Sequence, residues 1–307
     1  MILNICPNPS IDCTVELEQL NIGRLNRIAN KTVTYSGKAL NSAIGISRLG
    51  GDSYATGFMY ENDGNLFVQR LNNEGVKNTF VWNSGSVRIN YKVVDNKSML
   101  TEINDIGEKV SIEKQRELLE LVSNVSKNAS VVVISGSLPQ GVDNSYYPAL
   151  LNAVKGNAKK IVDTEGDKLL SSLSCGVYLA KPNLSELENA VKTRLETKTD
   201  MIKACQKLID LGAQNVLLSL GRDGAIYTNG TTSYYCKSAS VAVNSTVGAG
   251  DSMVAAASLM IENGADNAEI LRCAVAAGTA SITTSGTNLF YRDKFEEIYS
   301  KLKVEKI

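Results

Sequence analysis

A short loop of small residues, Thr246-Val247-Gly248-Ala249-Gly250-Asp251, has the composition of a site for negatively charged groups. A strand-like segment precedes the loop and an apolar helical pattern follows it, so the glycines fall at the start of a helix. Glycine lets backbone N–H groups approach an anion closely, and the helix dipole favours negative charge there. The loop therefore predicts an anion hole suited to a phosphoryl group in transfer.

Asp251 is the natural candidate for a catalytic base in this loop. The sequence contains no histidine, which excludes Ser-His-Asp and Cys-His catalysis as well as histidine metal ligands. A hydroxyl that attacks phosphorus must then give its proton to a carboxylate or a lysine. The simpler interpretation is that Asp251 only caps the helix. The complete hexapeptide favours the catalytic role.

A second cluster, Ser36-Gly37-Lys38-Ala39-Leu40-Asn41, opens another apolar helical pattern. It predicts a second helix N-terminus that faces something polar. Glycine before a helix is common, and Lys38 could equally be a solvated side chain. Neither cluster is a P-loop, because the pattern Gly-x-x-x-x-Gly-Lys-Ser/Thr is absent.

Two further polar loops follow strand-like segments. Lys181-Pro182-Asn183-Leu184-Ser185-Glu186 follows the segment 177–180, and Ser219-Leu220-Gly221-Arg222-Asp223-Gly224 follows the segment 215–218. In an open α/β sheet, ligands bind at the carboxyl ends of the parallel strands. We therefore expect these loops and the Asp251 loop to converge on one side of a sheet.

The middle of the chain alternates buried strands with helices. Segments 130–135, 160–163 and 215–220 are apolar on both faces, and helical patterns occupy 144–154 and 200–211. This order predicts a three-layer α/β/α, doubly wound, mostly parallel sheet. We expect one domain over 1–307, with two closely packed helices at 250–263 and 268–283.

Two regions, about 12–36 and 86–104, interrupt this alternation. In the second region Val87, Ile89, Tyr91 and Val93 alternate with polar residues, as in an antiparallel strand that has one apolar and one polar face. Such strands would form a small sheet that stands off the main domain as a lid. An edge extension of the main sheet would give the same pattern.

Composition narrows the classes of partner. The chain has 307 residues, 43% of them hydrophobic, and its 32 basic and 32 acidic residues cancel. We therefore expect no nucleic-acid and no membrane partner, but a small molecule. The six scattered cysteines, the absence of CxxC spacing and the lack of a long apolar run favour reduced thiols in a cytoplasmic protein.

A series of short motifs spans nearly the whole chain. In order they are Asn8-Pro9-Ser10-Ile11-Asp12, Gly37-Lys38 with Asn41, Arg88-Ile89-Asn90, Thr101-Glu102-Ile103-Asn104, Gly136-Ser137-Leu138-Pro139, Lys181-Pro182-Asn183 with Glu186, Ser219-Leu220-Gly221 with Gly224, and Val247-Gly248-Ala249-Gly250-Asp251. Together the set resembles the ribokinase-like (PfkB-type) carbohydrate kinases, and within them the branch that phosphorylates ketohexose phosphates. The resemblance implies ATP and Mg²⁺ as cofactors, with fructose 1-phosphate favoured over tagatose 6-phosphate as the acceptor.

The resemblance also implies roles for individual residues. Asp251 would be the proton acceptor, and the amides of Gly248, Ala249 and Gly250 the anion hole. Glu186 would organise Mg²⁺ through water. The nucleotide side would contain Lys181, Asn183, Ser219, Leu220, Gly221, Arg222, Asp223 and Gly224. The sugar-phosphate side would contain Asp12, Gly37, Lys38, Asn41, Arg88, Asn90 and also Lys92. The family's lid closes over the sugar and often pairs with a second subunit, which implies a homodimer.

The chain departs from the family's patterns at three places, one of which is the segment 57–64, where the second glycine of Gly-x-x-Gly-x-Asp is absent. Ser36 stands where the family has the first glycine of Gly-Gly-Lys, and Asp163-Thr164-Glu165-Gly166 stands where Asp-Thr/Ser-Ser-Gly is usual. If the backbone at Ser36 has positive φ, serine should be strained there by about 1–2 kcal/mol. These departures allow a shifted sugar preference.

Overall fold

The computed structural model describes residues 1–97, 99–284 and 289–307. In chain order its strands are β1 Ile2–Cys6, β2 Ser10–Glu16, β3 Asn30–Ser36, β4 Ser53–Tyr60, β5 Lys77–Asn78, β6 Val81–Asn83, β7 Ile89–Val94, β8 Leu100–Asn104, β9 Val131–Ser135, β10 Lys159–Asp163, β11 Val177–Ala180, β12 Asn215–Ser219, β13 Ala225–Thr228, β14 Ser233–Cys236 and β15 Val304–Lys306.

Its α-helices are α1 Lys38–Arg48, α2 Gly64–Asn73, α3 Ile112–Val125, α4 Tyr146–Ala153, α5 Gly166–Leu173, α6 Leu184–Val191, α7 Lys198–Asp210, α8 Ala249–Glu262, α9 Asn267–Ser281 and α10 Arg292–Lys301. Short 3₁₀ turns occupy Ser126–Asn128 and Gly221–Asp223.

The main sheet has the strand order β15-β14-β13-β12-β11-β10-β9-β1-β4-β5, and β6 pairs with β4. Pairing is parallel from β12 to β5 and antiparallel from β12 to β15. The parallel strands therefore all end at one edge of the sheet. The loops after β1, β9, β10, β11 and β12 all emerge there, which is the edge where ligands bind in doubly wound folds.

Alternate residues of the parallel strands face opposite helix layers. In β9, Val131 and Val133 pack in a core with α8, α9 and α10, whereas Val132 and Ile134 pack in a core with α3 to α7. Strands covered on both faces need apolar residues at successive positions, and the sequence supplies them. The predicted three-layer, mostly parallel α/β/α fold is confirmed.

Several element boundaries differ from the sequence expectation. Helix α7 begins at Lys198 because Thr197 and Asp200 form a reciprocal capping box, so Asp200 lies inside the first turn and does not start it. Helices α8 and α9 pack closely, as their small residues predict. A Cβ on Gly278 of α9 would lie 2.7 Å from Cγ of Met253 in α8.

A separate small sheet has the order β3-β2-β7-β8. Strand β2 pairs antiparallel with β3 and parallel with β7, which pairs antiparallel with β8. The predicted small separate sheet is confirmed, and the edge-extension alternative is wrong. Region 86–104 supplies two strands of this sheet, because the chain turns back after Val94 to form β8.

None of the helices in residues 1–97, 99–284 and 289–307 combines the length and the apolar composition needed to cross a membrane.

Candidate active site

The first turn of α8 forms the centre of the candidate site. Gly248 precedes the helix with φ 84°, a left-handed conformation that glycine adopts without strain. Ala249, Gly250 and Asp251 are the first three residues of α8, so their N–H groups have no acceptor within the helix. These free donors and the helix dipole make this turn a site for an anion.

Asp251 is buried, with 7% of its surface exposed. Its Oδ2 accepts a hydrogen bond from Nδ2 of Asn41 at 2.8 Å, and its backbone oxygen accepts one from Oγ of Ser42 at 3.1 Å. The N-cap of α8 is Gly248, and no side chain caps it. The interpretation of Asp251 as a mere helix cap is therefore wrong, since its carboxylate contacts α1.

The surroundings of Asp251 weaken its acidity. Burial raises the pKa of Asp251 to about 6, the positive charge of Lys38 opposes this rise, and the carboxylate of Asp163 adds to it. The hydrogen bond from Asn41 and the charge of Lys181 favour the ionised form. A carboxylate with a pKa close to neutral accepts a proton more readily than an ordinary aspartate does.

Asp163, at the end of β10, is buried and pairs with two lysines, of which Lys181 is buried and Lys38 is exposed. Its Oδ1 lies 3.0 Å from Nζ of Lys181, its Oδ2 lies 3.6 Å from Nζ of Lys38, and Ser135 Oγ donates to Oδ2 at 2.9 Å. Burial alone would raise the pKa of Asp163, but the two lysines outweigh it and hold the pKa at about 2. Asp163 in turn raises the pKa of Lys38, so both groups stay charged.

Sequence reasoning missed the central position of Asp163 and treated its segment only as a departure from the family. The available signal was its place at the carboxyl end of a buried strand of the parallel sheet. The structure also gives Lys181 a more buried position than a nucleotide ligand would suggest. Only 4% of Lys181 is exposed, and a Cβ on Gly250 would lie 3.3 Å from its Nζ.

A pocket of about 570 Å³ opens beside the first turn of α8. The predicted nucleotide residues in its lining are Ser219, Gly221, Arg222, Asp223 and Gly224, together with Ala249 and Gly250 of the anion hole. Leu220 is not part of this lining and packs against the core. The structure thus brings two of the three predicted loops, 219–224 and the α8 loop, to one pocket, whereas no residue of the 181–186 loop lines it.

The same pocket has walls that no motif indicated. They include Lys237, Ser238, Ala239, Ser240, Val241 and Val243 after β14, and Val275, Thr279 and Ile282 at the end of α9. The segment after β14 is irregular, and its residues have neither periodicity nor a motif spacing. The pocket therefore combines apolar side chains from these segments with the polar 219–224 loop.

Asn183 and Glu186 form a capping box at the start of α6. The backbone N–H of Asn183 donates to Oε2 of Glu186, and the backbone N–H of Glu186 donates to Oδ1 of Asn183, both at 2.8 Å. The pair therefore has a structural function whatever else it does. The Glu186 carboxylate also acts electrostatically on Lys38, raising its pKa, so it lies near this lysine.

A second pocket, of about 430 Å³, is lined by Gly37, Lys38 and Arg88. Its other lining residues, which the sequence did not single out as ligands, are Asn8, Glu102, Asn104, Gly136, Ser137, Thr164, Glu165 and Lys168. Several of these residues belong to the motifs given above. Their spacing in the sequence did not predict that they would line one pocket.

Arg88 brings unused hydrogen-bonding capacity to this second pocket. Its Nη1 donates to Oδ1 of Asn90 at 3.1 Å and its Nη2 to the backbone oxygen of Asn8 at 3.4 Å. Its Nε is buried without a partner, and among the described residues no carboxylate forms an ion pair with it. Burial lowers the pKa of Arg88, so an anion in the pocket would relieve the cost of its charge.

Asp12, Asn90 and Lys92 lie on one face of the small sheet. Asn90 Nδ2 and Ser10 Oγ both donate to Oδ1 of Asp12 at 3.2 Å, and Lys92 Nζ lies 3.3 Å from its Oδ2. Asp12 and Lys92 are both buried. The charge of Lys92 is therefore already neutralised by Asp12, which leaves Arg88, Lys38 and Lys168 as the cations that line the pocket.

The strain considered for Ser36 does not arise. Lys192 is the non-glycine residue with positive φ in the part of the chain that the structure describes, and the special conformation belongs to Gly37, with φ 152°. A Cβ on Gly37 would lie 2.8 Å from Sγ of Cys6, so glycine is required there. Ser36 accepts a hydrogen bond from Asn41 at 3.1 Å.

Known proteins that are similar to this chain in sequence and in structure match it over nearly its whole length. Residues 7–294 match the pfkB family of carbohydrate kinases. The chain is 31% identical over 308 residues to 1-phosphofructokinase of Borreliella burgdorferi, covering 100% of this chain and 99% of that protein. It is 29% identical over 309 residues to tagatose-6-phosphate kinase of Staphylococcus epidermidis, covering 99% of each.

The structure is similar to phosphofructokinase-2 from Escherichia coli in complex with potassium, with a TM-score of 0.90, 31% identity and 98% of both chains covered. The chain therefore belongs to the PfkB family of carbohydrate kinases, and its fold is ribokinase-like. The members of this family are phosphotransferases. The family that the motifs predicted is confirmed. The roles of single residues stay predictions.

The two buried carboxylates should respond oppositely to replacement by asparagine. Because the pKa of Asp251 is raised to about 6, its ionisation costs stability above that pH. Asp251→Asn should therefore raise the free energy of unfolding by about 2 kcal/mol at pH 8. The gain in the free energy of unfolding should decrease as the pH falls through 6 and disappear near pH 4. Urea denaturation at several pH values measures it.

Asp163→Asn is the matched comparison. The pKa of Asp163 is held at about 2, so its charge contributes stability above pH 4 that is lost as pH falls toward 2. This variant should lower the free energy of unfolding at pH 8 by about 3 kcal/mol, because Lys181 is left buried without its partner. Equal destabilisation by both variants would contradict the charge assignment.

Proposed function

We propose that the chain transfers the γ-phosphoryl group of ATP to the 6-hydroxyl of fructose 1-phosphate, giving fructose 1,6-bisphosphate and ADP. The observation that carries the proposal is that Asp251 is adjacent in the chain to residues of one pocket and hydrogen-bonded to the helix that lines the other. Ala249 and Gly250, beside it, line the larger pocket. Asn41, bonded to its carboxylate, belongs to the helix whose first residue, Lys38, lines the smaller one.

The geometry supports a simple sequence of events. The acceptor hydroxyl loses its proton to Asp251 as its oxygen attacks the γ-phosphorus of ATP. The bond between the γ-phosphorus and the β–γ bridging oxygen breaks, and that oxygen leaves with ADP. The N–H groups of Gly248, Ala249 and Gly250 stabilise the negative charge on the phosphoryl oxygens during the transfer.

The smaller pocket supports an acceptor that already carries a phosphate. A neutral sugar needs hydrogen-bonding groups only. It would not neutralise the charge of Arg88, whose half-buried guanidinium forms no ion pair with the described residues. Arg88 and Lys38 together offer the charge and the planar donors that suit a phosphate dianion. Asp12 and the neighbouring small-sheet groups then lie near the sugar hydroxyls.

Two acceptors fit this chemistry. Fructose 1-phosphate would be phosphorylated at its 6-hydroxyl, and tagatose 6-phosphate at its 1-hydroxyl. The relatives named 1-phosphofructokinase reach 31% identity and the relative named tagatose-6-phosphate kinase 29%, so the second remains the alternative substrate. A protein of a different class, a sugar-phosphate sensor without catalysis, would keep both pockets but would have no use for a base with a raised pKa.

The donor set fits Mg²⁺ bound mainly through phosphates and water. Glu186 offers one carboxylate oxygen that is not engaged by the backbone, and Mg²⁺ in kinases is commonly bound by one or two carboxylates together with substrate phosphates. Asp163 is already paired with two lysines. Mg²⁺ would neutralise charge on the nucleotide phosphates, and Glu186 would hold it through water.

A substrate panel tests the proposed function. Release of ADP is measured with Mg²⁺ and ATP against fructose 1-phosphate, tagatose 6-phosphate, fructose 6-phosphate and fructose. We expect the highest kcat/KM with fructose 1-phosphate and almost none with unphosphorylated fructose. Asp251→Asn should lower kcat by about 10²–10⁴-fold, the usual loss on removing a general base.

The outcomes of the panel separate the alternatives. Activity with tagatose 6-phosphate alone would transfer the assignment to the second substrate. Binding of the phosphosugars by calorimetry without ADP release from any of them would favour the sensor. Unchanged activity in Asp251→Asn, with any acceptor, would reject the mechanism.

We also propose that the small sheet forms a homodimer interface in addition to covering the sugar. Neighbouring residues across its strands, Val33, Cys13, Tyr91 and Ile103, form one row on the face opposite Asp12. Val33 and Tyr91 are each 41% exposed and Ile103 is 57% exposed. Apolar side chains adjoining on an exposed face are typical of an interface, and a second copy of the same face would cover them.

Light scattering tests this interface. The wild-type chain, of 33.0 kDa, should have twice its chain mass, and Ile103→Glu should have the monomer mass because it places a charge in the apolar row. Ile112→Glu is the control, since Ile112 is 60% exposed but lies at the start of α3. A monomeric wild type, or a dimer that survives Ile103→Glu, would refute the proposal.

A further inference from the structure

Ser36 is a buried polar residue at the end of β3, directly before the helix that carries Asn41. Only 2% of its surface is exposed. Its Oγ accepts a hydrogen bond from Nδ2 of Asn41 at 3.1 Å. Since its backbone is unstrained and Gly37 supplies the special conformation, the hydroxyl is the feature of Ser36 that concerns the site.

The side-chain amide of Asn41 is held by two partners. Its Nδ2 donates to Ser36 and also to Oδ2 of Asp251 at 2.8 Å. Both of its N–H donors are thereby used. These two contacts come from different elements, β3 and α8, so together they fix the plane of the amide.

The carbonyl side of the same amide has no partner. Oδ1 of Asn41 is buried and accepts no hydrogen bond from the described residues. An unsatisfied buried acceptor is costly and uncommon. It lies on the side chain that touches the candidate base, which points to a donor supplied by a ligand, and the reacting sugar hydroxyl is a donor of the right kind.

We propose that Ser36 is a positioning residue that acts through Asn41. Its hydroxyl holds the Asn41 amide so that the NH₂ group faces the carboxylate of Asp251 and Oδ1 stays open for a hydroxyl of the acceptor. This inference rests on the proposed kinase function and deepens it.

The physical reason for a second tether is the softness of the asparagine side chain. The terminal torsion of asparagine is broad and roughly two-fold, so one hydrogen bond to a carboxylate leaves the amide free to tilt. A tilted amide donates less well to Asp251 and no longer presents Oδ1 in a fixed direction. The other charged groups that act on Asp251 are Lys38, Asp163 and Lys181, and among the described residues the hydroxyl of Ser36 is hydrogen-bonded to Asn41 and to none of them.

A double-mutant cycle tests the proposal with the substrate that proves active in the panel. Ser36→Ala should lower kcat/KM by about five- to tenfold, the loss expected for one hydrogen bond. Asn41→Ala should lower it further. If Ser36 acts only through Asn41, adding Ser36→Ala to Asn41→Ala should change nothing more.

The pH profile gives a second readout that a merely structural role would not move. The N–H group of Asn41 favours ionised Asp251, so loosening the amide should raise the pKa of the base. The acid limb of kcat/KM should therefore shift to higher pH in Ser36→Ala. The phosphate of the substrate titrates alike in both assays, so a difference between the profiles belongs to the protein.

Two further variants serve as controls. Ser36→Thr keeps the hydroxyl and should restore the wild-type profile. Ser258→Ala removes another fully buried serine hydroxyl, one that bonds only within α8, and should leave kcat/KM and the acid limb unchanged.

The proposal is overturned if Ser36→Ala costs as much in the Asn41→Ala background as in the wild type, or if its acid limb does not move. It is upheld if Ser36→Ala causes no loss of kcat/KM in the Asn41→Ala background and its acid limb shifts to higher pH. If Asn41→Ala does not fold, the pH profiles of the wild type and Ser36→Ala are sufficient to test the proposal. Failure of the kinase proposal looks different, because the wild-type chain would then phosphorylate no acceptor in the panel.

Discussion

The candidate site depends on keeping one carboxylate, that of Asp251, ionisable inside the protein at the start of a helix. Asp251 is 7% exposed, and burying a charge without compensation would protonate it over the whole physiological range. Three features compensate in part. They are the helix dipole of α8, the hydrogen bond from Asn41 and the charges of Lys38 and Lys181. Asp163 limits the compensation, because it binds both lysines itself. As a result, the pKa of Asp251 lies above that of a free aspartate, but the carboxyl group still ionises near neutral pH.

The small sheet and the main sheet meet at the candidate site. The small sheet leads directly into the site, since β3 ends at Ser36, one residue from Gly37 and the start of α1. Strand β2 follows β1 after three residues and carries Asp12. Movement of the small sheet would therefore be transmitted to Asn41 and to the smaller pocket. A sheet that covers the acceptor is in a position to complete the surroundings of the base at the same time, and to exclude water from the transfer.

The sequence predicted the fold well because the information is local. Buried strands such as β9 are apolar at successive positions, 131–134, and the loops with glycine and polar residues fall at their carboxyl ends. The Asp251 loop was recognisable for the same reason, since an anion hole needs small residues at a helix start. The separate small sheet was one of two open interpretations, because alternation in 86–104 does not reveal which sheet a strand joins.

Long-range contacts could not be predicted in this way. The ion pairs of Asp163 join residues 38, 163 and 181, and nothing in their spacing links them. The larger pocket takes part of its wall from the irregular segment after β14, which has no pattern. Ser36 was noticed only as a departure, and its contact with Asn41 became visible once β3 and α1 were placed together. Side-chain hydrogen bonds of this kind depend on tertiary packing, which composition and periodicity do not specify.

The most direct measurement is the titration of the Asp251 carboxyl group by carbon-13 NMR, with the resonance assigned by its absence from Asp251→Asn. The account predicts a midpoint near pH 6, because burial raises the pKa of Asp251 to about 6. A resonance that titrates near pH 4, as a solvated aspartate does, would contradict the description of Asp251 as a buried base.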